Sequence, residues 1–198
     1  MAGSLDIIKG NFAEIRDTLE RFVRDESNFA RMDDAAHLMT ESLKRGGKIL
    51  AIGNGGSMCD AMHFCEELTA RFRGNRRALP AIAPADPSFL TCCGNDFGFD
   101  EVFARFVEAY GTEGDVLLGI STSGNSENVV RASAAAAKRG MKVITLAGRP
   151  DGKLLPLSDI YISTPPTGYS DRAQEIHTEI IHTFVQLIEN GLGLDSIK

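Results

Sequence analysis

Two amphipathic helices open the chain. Ile8, Phe12, Ile15, Leu19 and Phe22 step by alternating fours and threes, which lays them along one narrow seam. Phe29, Met32, Ala36, Met39 and Leu43 repeat the stripe, and Arg45-Gly46-Gly47 then stops it with a cation and two glycines. Such seams suit either the sheet of the same chain or a second copy of it, and the pattern leaves both open. From Lys48 the texture changes. KILAI (48–52), LPAIA (79–83), DVLLGI (115–120), MKVITLAG (141–148) and DIYIS (159–163) are short apolar runs of strand length. Helical stretches separate them. One runs from the turn GNGGS (53–57) to about Arg73, and one near 86–110 is interrupted at CGND (93–96). An Ala-rich helix ends at Arg139, and the last helix spans Ser170 to about Asn190. The alternation predicts an α/β fold in three layers: a doubly wound, five-stranded parallel sheet preceded by two helices.

Composition narrows the class. At 198 residues, 43% hydrophobic and 24% charged, the chain reads as one ordinary globular domain, not a disordered one. It has no apolar run long enough for a membrane span, and MAGSLDIIKGNF lacks the basic-then-apolar layout of a secretory signal. A net charge of −6 and the absence of Trp speak against nucleic acid or membrane partners. An anionic ligand therefore needs a local site. Cys59, Cys65, Cys92 and Cys93 lack zinc-finger spacing, and reduced cytoplasmic thiols are the expectation.

Ligands of open α/β sheets bind beyond the carboxyl ends of strands, and two loops there carry suitable chemistry. In GNGGS, Gly53, Gly55 and Gly56 let backbone approach a ligand, and Ser57 is expected to cap the following helix. STSGNS offers Ser121, Thr122, Ser123 and Ser126 around a glycine at a helix start, a phosphate cradle that needs no cation. Neither loop has a Gly-Lys-[Ser/Thr] step, and Met58 stands where a dinucleotide fingerprint needs its last glycine.

The helix after GNGGS buries Ala61, Phe64, Cys65, Leu68 and Phe72. His63 and Glu67 fall about 200° and 240° from Ala61, on the face expected to turn away from the core. An i,i+4 His/Glu pair suits a divalent metal, proton transfer or a plain solvated ion pair. On the last helix Asp171, Glu175, Thr178 and His182 lie within about 40° of one another, with Gln174 about 60° to the other side. His182 reads either as a partner for that pair or as a core histidine.

GNGGSMCDAMHFCEELTARFR, GNDFGFDEVFARFVEAYG, GDVLLGISTSGNSENVV and DRAQEIHTEIIH together resemble the bacterial phosphoheptose isomerases, a group of sugar isomerase (SIS) domain proteins with a flavodoxin-like sheet. The resemblance covers nearly the whole chain, and Met58 is the one visible departure, where several members have histidine. It implies a single SIS domain over 1–198, with helices 1–46 as an oligomerisation element of a homotetramer whose active sites lie at subunit interfaces. It also implies conversion of sedoheptulose 7-phosphate to D-glycero-D-manno-heptose 7-phosphate, which feeds ADP-heptose and lipopolysaccharide synthesis. One zinc ion per subunit is implied on His63, Glu67, Gln174 and His182. The phosphate is implied at Ser121, Ser123 and Ser126. The sugar is implied at Asn54, Gly55, Gly56, Ser57, Asn95, Asp96 and Thr122, with Asp171 near the reacting end and Arg71 matching a family arginine. Glu67 and His182 are the expected base and acid of an enediol mechanism. The alternative is a non-catalytic tetramer that binds a protein, as in the DnaA initiator-associating protein. That relative lacks the acidic pair after the His-Phe step and the late histidine, whereas this chain has Glu66-Glu67 and His182.

Overall fold

The computed structural model describes residues 3–194. Helices α1 (Ser4–Arg24) and α2 (Ser27–Lys44) follow one another across a short turn. Asp25 makes the turn, its carboxylate accepting from the Ser27 amide at 3.1 Å and the Ser27 hydroxyl at 2.6 Å. The strands follow as β1 (Ile49–Gly53), β2 (Ala81–Ile82), β3 (Val116–Ser121), β4 (Lys142–Ala147) and β5 (Ile160–Ser163). All pairings are parallel, in the order β2-β1-β3-β4-β5. Strand order reverses between β1 and β3, so the crevice that this fold class uses for ligands opens where GNGGS and STSGNS emerge side by side.

Side-chain alternation divides the core into two layers. Ile49 and Ala51 of β1, with Val116, Leu118 and Ile120 of β3, face α2, α3 (Gly56–Thr69) and α7 (Ser170–Gly191). Leu50, Ile52 and Leu117 face α4 (Pro87–Phe97), α5 (Val102–Tyr110) and α6 (Glu127–Lys138). The predicted strands are all present, and three details of the helices differ. α3 ends at Thr69, short of Arg73, because the chain turns at Ala70. α4 runs through 93–96 without a break. Gly94 has open space around it, and the interruption lies at Gly98, whose φ of +89° ends the helix before a 3-10 turn at Phe99–Glu101. The two N-terminal seams part company. Met32, Ala36, Met39 and Leu43 of α2 are buried on the protein's own core, whereas in α1 only Phe22 of the seam is buried and Phe12 remains 73% exposed.

Candidate active site

The serine loop leaves β3 at Ser121, which is buried. Its hydroxyl lies 2.9 Å from that of Ser126 and 3.4 Å from that of Ser123. Three hydroxyls thus converge at the N-terminus of α6, where helix amides and the dipole favour an anion. Gly124 makes the turn at φ +65°, and a Cβ there would meet the Tyr161 hydroxyl at 2.9 Å and the Asp151 carbonyl at 3.0 Å. No other residue fits without displacing that contact. Thr122 and Ser123 form one wall of a cavity of about 510 Å³ whose other walls come from Arg149, Asp151, Tyr169 and Ala173. The two loops are tied together. Asn54 exchanges paired side-chain hydrogen bonds of 2.9 Å with Asn128, a buried residue in the first turn of α6.

Helices α3 and α7 both start at the ligand edge of the sheet and pack side by side in the same direction, along a polar seam. A Cβ on Gly56 would strike the Gln174 amide at 2.5 Å, so glycine is what lets Gln174 lie against the start of α3. One turn on, Thr178 donates to Asp60 at 3.0 Å. Asp60 is buried and its other carboxylate oxygen has no partner, and burial raises its pKa. Next, His63 Nε2 lies 2.9 Å from His182 Nε2, and Glu67 Oε1 lies 3.8 Å from the same His63 nitrogen. Glu66 holds His63 Nδ1 at 3.1 Å, and the Phe72 ring stacks on His182 at 5.6 Å.

His63, Glu67 and His182 each offer one ligand atom within 4.8 Å of the other two. Two nitrogens on a tetrahedral zinc sit roughly 3.3 Å apart, given zinc–nitrogen bonds of about 2.05 Å. The observed 2.9 Å needs to open by only a few tenths of an ångström to admit the ion. The carboxylate behind His63 Nδ1 is the partner that orients a ligating imidazole. The donor set and its spacing therefore fit zinc.

The structure changes several expectations. Glu67 does not face open solvent, because α7 covers that side of α3 and leaves its side chain only 15% exposed, while that of His63 is 37% exposed. Gln174 stands apart from the three other expected ligands, since the eight-residue step from it to His182 rises about 12 Å along α7. Ser57 does not cap α3. Gly55 is the capping position, and Ser57 lies buried within the first turn. Arg71 follows the end of α3 and is exposed. Asn95 and Asp96 sit exposed near the end of α4, bonded to each other at 2.7 Å. Asp171 starts α7 and holds the Arg172 amide at 2.9 Å, while Glu175 pairs with the Arg172 guanidinium at 2.6 Å instead of joining the seam. The core histidine of α7 is His177, fully buried with Nε2 on the Ala147 carbonyl at 3.2 Å.

The SIS domain family matches residues 11–148. The phosphoheptose isomerase of Escherichia fergusonii is 56% identical over 188 residues, which is 95% of this chain and 98% of that one. The chain belongs to the phosphoheptose isomerase family. Its fold agrees with solved phosphoheptose isomerases: that from Neisseria gonorrhoeae has a TM-score of 0.88 at 40% identity, covering 95% of this chain and all of that one. The structure from Francisella tularensis has a TM-score of 0.88 at 36% identity, covering 96% of this chain and all of that one. The chain is thus an isomerase of this family and not a non-catalytic relative on the same fold.

Sequence reading passed over three residues that bond along this seam and its loops. Asn128 and Arg76 bond to partners far away in the chain, so no local spacing marks them. Asp60 lies three residues before His63 on the same face of α3, and that spacing could have found it.

Proposed function

We propose that the chain converts sedoheptulose 7-phosphate to D-glycero-D-manno-heptose 7-phosphate through an enediol, at the start of ADP-heptose formation for lipopolysaccharide in the cytoplasm. The convergence of Glu67, His63 and His182 in a half-buried seam carries this reading. The reaction removes a proton from C1 of the ketose and returns one to C2, while a proton moves from O1 to O2. Glu67 shuttles the carbon proton, and His182 is its acid/base partner at the oxygens. Ser121, Ser123 and Ser126 hold the phosphate. Asn54, Gly55, Gly56, Ser57, Asn95, Asp96, Thr122 and Gln174 serve the sugar, with Asp171 near the reacting end and Arg71 as a further anion contact.

His63, Glu67 and His182 would hold one zinc ion per subunit. Bound there, zinc would supply Lewis-acid polarisation of the two substrate oxygens. A nitrogen bound to zinc carries no proton, so with Nε2 on the metal His182 can act at the substrate oxygens only through Nδ1. A carboxylate has two oxygens, so Glu67 can serve as ligand with one and as base with the other.

The assembly in this proposal is a homotetramer, with the chain as a single SIS domain over 1–198 and helices 1–46 as its oligomerisation element. The support is the uncovered seam of α1. Leu5, Ile8, Phe12, Leu19 and Val23 are each more than 40% exposed, and a stripe of that size on a lone chain marks an interface. Glu67→Gln tests the chemistry. Turnover of sedoheptulose 7-phosphate is expected to fall about 100- to 10,000-fold. Normal turnover with zinc bound would remove Glu67 from the shuttle role.

A further inference from the structure

Past the candidate site, the α3–α7 seam ends on a buried ion pair that the mechanism above does not use. Arg76 lies in the irregular segment after α3, with its side chain 2% exposed, and its partner Glu189 on α7 is 6% exposed. Arg76 Nε donates to Glu189 Oε1 at 2.8 Å. The rest of the guanidinium closes the end of α3. Nη2 donates to the Glu67 carbonyl at 2.5 Å, and Nη1 donates to the carbonyls of Leu68 at 2.7 Å and Ala70 at 3.2 Å. These belong to the last-turn carbonyls that a helix leaves unpaired, and a cation is favoured there. Only a planar fork reaches three carbonyls and a carboxylate at once, so lysine is no substitute. Glu189 stands seven residues after His182, two turns along the same face of α7.

One guanidinium therefore joins the backbone of Glu67 to the helix that carries His182. It also pins the segment that brings Phe72 onto the His182 ring. A buried ion pair is a poor source of stability, because desolvation offsets its attraction. We propose that Arg76 and Glu189 are positioning residues of the isomerase, a clamp that sets the spacing between Glu67 and His182. The proposal rests on the assignment of those two residues to the chemistry.

The test compares Arg76→Lys, Glu189→Gln and the double variant Arg76→Met/Glu189→Leu with the unaltered enzyme and with Glu67→Gln. Steady-state kinetics with sedoheptulose 7-phosphate, titration with zinc alone and near-ultraviolet circular dichroism are measured for each. Arg76→Lys is expected to lose roughly 10-fold or more in kcat with KM within about twofold, the signature of a misplaced catalytic group. Its zinc affinity should drop about 10-fold. The double variant keeps an apolar pair in the same space, so it guards against simple unfolding, and it should show the same loss in kcat while folded. A folded double variant with kcat within twofold of the unaltered enzyme would overturn the clamp, even with Glu67→Gln inactive. Full turnover by Glu67→Gln would instead sink the assignment on which the clamp rests.

Discussion

Ser121 illustrates how the site works at the scale of single residues. Its hydroxyl is buried at the end of β3 and can turn only to Ser123, Ser126 or a ligand. Replacing it with alanine removes one hydrogen bond to a charged group, worth about 1.5–3 kcal/mol. Ser121→Ala is therefore expected to raise KM for the phosphorylated substrate by roughly 10- to 100-fold with a smaller change in kcat, and an unchanged KM would move the phosphate elsewhere. His177 carries a different prediction. Burial pushes its pKa down to about 4 from 6.5, so the folded protein holds it neutral while the unfolded chain binds a proton. Stability is then full above pH 6.5 and falls as pH drops towards 4, by about 3 kcal/mol. Urea midpoints across that range should show the slope, and His177→Asn should lack this part of it. An equal slope in the variant would contradict the assignment. At this scale the sequence was legible where chemistry follows helical spacing. His63 and Glu67 could be paired by phase, but which of His177 and His182 enters the core depends on where α7 lies, and spacing alone does not say.

Elements were legible where a local signal dominates. The helix expected from near 86 begins at Pro87, where the Asp86 carboxylate accepts from the Ser88 amide at 2.7 Å. The end of that helix was misplaced because Gly94 and Gly98 look alike in sequence, and only the backbone at Gly98 adopts the left-handed conformation. The first two helices show the limit most clearly. Their stripes have the same period, yet α2 is buried on its own sheet and α1 presents Phe12 outward. Periodicity tells that a face will be covered, not by what. Phe12→Glu places a charge on that face and is expected to shift the proposed tetramer to smaller species in sedimentation, with the secondary structure retained. A persistent tetramer would place the interface elsewhere.

At the scale of the whole molecule, the alternation of strands and helices was enough to foresee a parallel sheet with helices on both faces. The strand order places both ligand loops at one crevice, and the Asn54–Asn128 pair couples them. Helices α3 and α7 then bring His63, Glu67 and His182 together across 119 residues of chain. That long-range pairing was visible beforehand only through resemblance to a family, because no local rule sets which helices pack together. The central claim is that these side chains move a proton between neighbouring carbons of a sugar phosphate. Its most direct test is turnover of sedoheptulose 7-phosphate by the full-length enzyme in deuterated water, followed by NMR with and without a chelator. The account predicts an aldose phosphate carrying deuterium at C2, with turnover lost on chelation and restored by zinc. No turnover with zinc supplied would contradict it.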